Sequence, residues 1–259
     1  MIENAVFISD GRRLDLAAKG CSRLYFGAEF CERLLPDAAQ LDAARDFAQQ
    51  RRLAFTFVTP FVAEAGLAAL QPLLERLAAA AGGPFEVVVN DWGVFRQLTE
   101  GSWKGALVPV LGRLLTKQKR DPRIAELPGL PEPAREHLRR CSADAPAFAA
   151  FLRERGVARI ELDNPLQGLE RGSDLRASLY VPFVTVTTTR LCFMAGADSG
   201  PRELRRVAPC GRECRSYTAT LRSRGMGRDL ILKGNTQFYE NPDLPKDLEV
   251  LGVDRLVRQ

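Results

Sequence analysis

The sequence is nearly without histidine. His137 stands alone among 259 residues, inside the charged run Arg135-Glu136-His137-Leu138-Arg139-Arg140, which reads as a solvated helix face. No Ser/His or Cys/His pair suggests itself for nucleophilic catalysis, and no His-Glu-x-x-His zinc motif exists. Cysteine is also scarce: six in the whole chain are too few for a disulfide scaffold. Long apolar runs are missing, since no stretch approaches the roughly 18 residues that a membrane span needs. Met1 to Asp10 carries no basic segment ahead of an apolar one, so no secretory leader is expected. Together these absences predict a cytoplasmic protein with reduced thiols, in which grouped cysteines serve as metal ligands or redox groups. The excess of five positive charges is modest and scattered; it is compatible with an anionic substrate or a weak RNA encounter and demands neither.

What is present is a repeated unit: a short β-rich apolar run, a polar or glycine turn, then apolar residues at helical spacing. Strands are expected near 4–9, 23–28, 53–59, 85–89, 106–111 and 158–162, with helices near 11–19, 38–52, 64–81, 92–99 and 145–155. A long strand over 177–187 and a short one over 254–258 bring the count to about eight. That count favours a closed (β/α)8 TIM-like barrel over an open doubly wound sheet. No low-complexity tract or linker divides the chain, so residues 1–259 are expected to form a single barrel domain. Two segments break the rhythm. Residues 117–144 form a basic, then proline-rich excursion with a short helix near 132–140, and 188–240 is an irregular cysteine-bearing insertion. Within that insertion, 217–221 and 229–233 are expected to pair as an antiparallel hairpin.

Cys192, Cys210 and Cys214 are spaced C-x17-C-x3-C in this insertion, where Gly, Pro and Arg dominate and no apolar periodicity would bury a structural thiol. The x3 pair can close on one metal either on a helical turn or in a loop. In a parallel barrel the residues just after each strand emerge at the same end, where active sites are built. Cys31 follows the second strand and Cys192 follows the strand ending near Thr187, so both are expected at that rim. Cys21 precedes its strand and Cys141 lies in the 117–144 excursion, so neither is expected in the group. The plain alternative is that the four are unrelated thiols, each behaving as a small hydrophobe. If they converge, zinc competes with an iron–sulfur cluster. Structural zinc usually draws on two close cysteine pairs, whereas here one close pair joins two distant loops, which suits a cluster better.

The opening units with Leu24-Tyr25-Phe26-Gly27-Ala28, Cys31 just beyond, Val89-Asn90-Asp91-Trp92-Gly93 after the fourth strand, and Arg190-Leu191-Cys192 before Cys-x3-Cys carry a resemblance over nearly the whole chain. They resemble the U32 peptidase-like family, and within it the UbiV-type iron–sulfur proteins. The resemblance implies a [4Fe-4S] cluster on Cys31, Cys192, Cys210 and Cys214. It also implies a part in oxygen-independent hydroxylation of a ubiquinone precursor or an RNA base, beside a second U32-family subunit in a heterodimer, with prephenate as the suspected oxygen donor. Seventeen residues separate the second and third ligands here, more than that type is expected to have. Peptidase activity finds little support in a chain so poor in histidine.

Polar residues at the strand ends are the candidates for substrate contact: Glu29, Asn90, Asp91, Arg113, Asp163, Asn164 and Arg190. Arg113 and Arg190 are suited to clamp a carboxylate or phosphate bidentately, as a dicarboxylate such as prephenate requires. The structural alternative for each is a loop ion pair or a cap, and Asp91 is well placed to cap the helix that begins at Trp92. The basic run Lys117, Lys119, Arg120 and Arg123 suits RNA phosphates but lacks interleaved aromatics for base stacking.

Overall fold

The computed structural model describes residues 2–18, 20–197 and 209–259. Eight parallel strands close into a barrel: β1 (Glu3–Ile8), β2 (Arg23–Gly27), β3 (Ala54–Val58), β4 (Phe85–Val89), β5 (Leu107–Leu111), β6 (Arg159–Asp163), β7 (Arg176–Val181) and, after an excursion, β12 (Val253–Arg258), which returns between β7 and β1. Among the described residues five α-helices lie along the sequence between them: α1 (Ala38–Gln50), α2 (Glu64–Ala78), α3 (Trp92–Glu100), α4 (Glu132–Arg139) and α5 (Pro146–Glu154). Among the described residues no helix is long and apolar enough to cross a membrane.

Alternation along the strands builds two layers. Leu24, Phe26, Phe57, Val87, Val89, Ile160, Leu162 and Leu179 pack outward against helix residues such as Leu41, Leu70, Leu74, Phe95 and Leu152. Their neighbours Tyr25, Val58, Val88, Val110, Tyr180 and Val257 fill the barrel itself. Helix starts follow local chemistry. At α1 the Asp37 carboxylate accepts from the Gln40 amide (2.8 Å), while the Gln40 side chain accepts from the Asp37 amide (3.1 Å), a reciprocal cap. Gly27 ends β2 at φ 138°, and a Cβ there would lie 2.2 Å from the Val58 carbonyl, so a glycine is required where the chain turns out toward Cys31.

Three expectations are corrected. The segment expected as a helix over 11–19 is a 3-10 stretch, Gly11–Ala18, interrupted by non-helical geometry at Arg13. The long strand expected over 177–187 is two strands. β7 ends at Val181, and β8 (Phe183–Thr188) leaves the barrel after Pro182, which has no N–H for the ladder. The expected hairpin exists, as β9 (Ala219–Leu221) against β10 (Leu230–Lys233), but it forms half of a larger sheet. β11 (Thr236–Glu240) follows β10, and the antiparallel order is β8-β11-β10-β9. The second half was hidden because β8 reads as a continuation of β7 and Gly234-Asn235 is a turn of only two residues.

Candidate functional site

Cys31 stands just beyond β2 in extended conformation and opens a 3-10 turn over 32–34. Its loop is tied down on two sides. The Glu32 carboxylate accepts from the Ala63 amide (2.7 Å) at the start of α2, and the Phe30 ring packs edge-on against Phe238 of β11 (5.4 Å). Cys192 follows β8. Two residues earlier, Arg190 donates to the Val62 carbonyl (3.2 Å) and lies over the Phe61 ring (5.2 Å). Cys214 sits in the 3-10 turn Glu213–Arg215, preceded by Arg212 at φ 65°. The Glu213 carboxylate accepts from the Gly196 amide (2.7 Å) and the Gly211 amide (3.1 Å), which joins the Cys192 loop to the loop of Cys210 and Cys214.

These loops bring the four thiols within electrostatic reach of one another. Burial raises the Cys31 thiol above its ordinary pKa, and the neighbouring Cys192 and Cys210 raise it further. Cys214 is pushed up to about 11, first by burial and then by Cys192, Cys31 and Cys210, with Lys233 acting in the opposite sense. No group of three or more His, Cys, Asp or Glu side chains among the described residues stands in metal-holding geometry. Cys31 and Cys214 are thus thiols whose ionisation the neighbouring cysteines disfavour.

The other two cysteines lie apart. Cys21 precedes β2 at the opposite end of the barrel, where its thiol donates to the Ala17 carbonyl (2.8 Å). Cys141 is buried beside Asp144 and is pushed up to about 12, by burial and then by that carboxylate.

Most of the polar residues expected to meet substrate are engaged with the protein. Arg113 is wholly buried, and it donates to both oxygens of Glu29 (2.8 and 2.6 Å) and to Asp163 (2.7 Å). Its guanidinium also stacks 3.8 Å above the Tyr180 ring. Arg120, drawn from the basic run, turns inward to pair with the second Asp163 oxygen (2.6 Å). Arg123 pairs with Asp121 (2.5 Å) while staying exposed, so of the run weighed against RNA phosphates only Arg120 turns inward, and Lys117, Lys119 and Arg123 face solvent. Asn90 is buried and bridges the Thr59 carbonyl (2.9 Å) and the Leu114 amide (3.0 Å). Asn164 donates to the Asp243 carbonyl (2.7 Å) and its own carbonyl accepts from Asn241 (2.9 Å). Asp91 caps α3 through the amides of Gly93 (2.7 Å) and Val94 (3.3 Å). Of the seven candidates only Arg190 is exposed. His137 is exposed on α4, in keeping with a solvated face.

Asn235 was not singled out from the sequence, although a Gly-Asn pair between two β-rich runs is a recognised hairpin signal. It is buried, and its amide donates to the carbonyls of Phe30 and Thr189, both at 2.7 Å.

No protein-family model matches the chain, and no curated protein matches it. Among solved structures it is similar to that of the U32 peptidase Mk0906, with a TM-score of 0.48 and 12% identity over 100% of this chain and 93% of that one.

Proposed function

We propose that Cys31, Cys192, Cys210 and Cys214 hold a [4Fe-4S] cluster at the C-terminal rim of the barrel. On this reading the chain takes part, beside a second U32-type subunit, in oxygen-independent hydroxylation of a ubiquinone precursor or an RNA base. What supports it best is that the loops after β2, after β8 and over 210–214, far apart in sequence, come to one end of the molecule, where Cys31 and Cys214 each lie within the electrostatic influence of the other cysteines, with Cys21 and Cys141 elsewhere. An all-thiol donor set from separated loops fits an iron–sulfur cluster. Bound there, the cluster supplies one-electron chemistry. Binding releases protons, because thiols whose ionisation is disfavoured must ionise to become ligands. Arg190, exposed and two residues from Cys192, is the cation placed to meet an anionic substrate such as prephenate.

A second reading, in which the chain is a redox or structural partner with no substrate of its own, is favoured by a separate observation. Arg113 and Asp163, expected as substrate contacts, are completely buried, with Arg113 paired to both Glu29 and Asp163. Apolar surface is meanwhile exposed on α3 and α5, where Trp92 packs edge-on against Phe95 and Phe148 while remaining 47% exposed.

Anaerobic purification followed by visible absorption and by iron and sulfide analysis tests the cofactor. A coloured protein with iron and sulfide in similar amounts is expected, and a colourless protein containing zinc would overturn the assignment.

A further inference from the structure

We infer that the two-residue turn Gly234-Asn235, between β10 and β11, is the positioning element that assembles the cysteine site. The inference rests on the reading of the four cysteines as one site. Lys233 and Thr236 pair directly, so only these two residues make the turn, and Gly234 adopts φ 65° within it.

Each residue of the turn reaches a different part of the site. Asn235 spends both amide hydrogens on loop carbonyls: Phe30, which immediately precedes Cys31, and Thr189, three residues before Cys192. The Thr189 amide donates back to the Asn235 carbonyl (3.0 Å), so the Cys192 loop is held by two bonds. The Asn235 side-chain oxygen accepts from the Thr236 hydroxyl (3.2 Å), which fixes the orientation of the amide. Gly234 lies against Cys214, where an added Cβ would stand 3.3 Å from its Cβ and 3.5 Å from its sulfur. Three of the four cysteines, Cys31, Cys192 and Cys214, are thus approached from one turn. Both donors of Asn235 point at carbonyls that lie in loops, outside any strand ladder. An isosteric change that removes the donors therefore takes away the direct tie between the two loops while leaving β10 and β11 paired. Residues that orient metal ligands without touching the metal commonly affect affinity by about 10- to 100-fold.

The test uses Co2+ as a probe on reduced full-length protein, following thiolate-to-cobalt absorption, with far-UV circular dichroism as the check on folding. Asn235→Asp keeps the shape and loses the donors; it is expected to bind Co2+ about 10- to 100-fold more weakly than the native chain. Asn241→Asp is the control. It removes a comparable buried amide-to-carbonyl bond, to Asn164, that touches no cysteine loop, and it is expected to bind Co2+ as the native chain does. If Asn235→Asp fails to fold, Gly234→Ala carries the test, since its methyl group presses directly on Cys214, and weaker cobalt binding is again expected. Native affinity in the folded Asn235 or Gly234 variant, or equal losses in the Asn235 and Asn241 variants, would overturn the inference while leaving the cysteine site standing. Absence of thiolate–cobalt absorption in the native chain would overturn the site itself.

Discussion

The interior of the barrel and the rim above it treat buried polar groups in opposite ways. Inside, charge is matched by charge. Arg255 donates to Glu3 (2.6 Å) and Glu86 (2.6 and 3.1 Å), Arg23 joins the same two carboxylates, Arg159 pairs with Asp254, and Arg113 is clamped by Glu29 and Asp163. The Glu86 carboxylate is held below its ordinary value because these arginines outweigh its burial. A cavity of about 380 Å³ opens on this lattice at the N-terminal mouth, lined by Arg23, Arg159, Arg255 and their partners. At the rim, Cys31 and Cys214 are pushed upward by burial and by the other cysteines. Most buried charges of the interior are thus paired within the chain, whereas the rim gathers thiols, of which Cys31 and Cys214 are disfavoured from ionising by burial and by their neighbours.

The strongest way to break this contrast is to make the interior incomplete. Arg113→Met leaves the buried carboxylates of Glu29 and Asp163 short of a partner and is expected to lower stability by about 3–5 kcal/mol in denaturant unfolding. A loss below about 1 kcal/mol would mean that the pairing contributes no more than an exposed ion pair.

Glu161 is a buried carboxyl without an arginine bound to it among the described residues, and it sharpens the contrast by its pH dependence. It is completely buried, one oxygen accepts from Tyr25 (3.1 Å), and the other has no hydrogen-bond partner among the described residues. Burial pushes its pKa up to about 7, against the lowering influence of Arg255 and Arg159. The folded chain therefore keeps this proton at pH values where the unfolded chain, with its carboxyl near 4.5, has already released it. The favourable contribution is full below 4.5 and is lost as pH rises to about 7. Glu161→Gln removes that dependence, and at pH 8 it is expected to be more stable than the native chain by roughly 3 kcal/mol. Unfolding midpoints at pH 5 and pH 8 check this: native and variant profiles that run parallel would contradict it.

A smaller effect is expected at the rim. Asp37→Ala deletes the reciprocal cap of α1, six residues past Cys31, and should cost about 1 kcal/mol. Hydrogen exchange should quicken in the first turn of α1 and stay unchanged in β6; equal quickening in both would show that rim and interior open as one unit.

The course of the barrel was legible because alternating apolar strands and helical spacing recur through the chain, and the place of Cys31 follows from the rule that residues after parallel strands share one end, whereas Cys192 follows β8, an antiparallel strand outside the barrel to which that rule does not apply. Less legible was the role of polar strand-end residues. Arg113, Asp163 and Asn90 look the same in sequence whether they face a substrate or one another, since pairing between residues 50 or 84 positions apart leaves no local pattern. Glu86, Glu161 and Arg255 alternate with apolar neighbours as solvent-facing residues do, yet they line the interior. The break at Pro182 was hidden because the apolar character of 177–187 continues through it, and with it went the strand β11 and the turn that carries Asn235.

The most direct measurement is the metal content of two single variants purified without oxygen, Cys31→Ser and Cys141→Ser, beside the native chain. Most of the iron and the visible absorption should be lost in the first and kept in the second. Undiminished iron in Cys31→Ser would contradict a site shared between the early and late loops of the barrel rim.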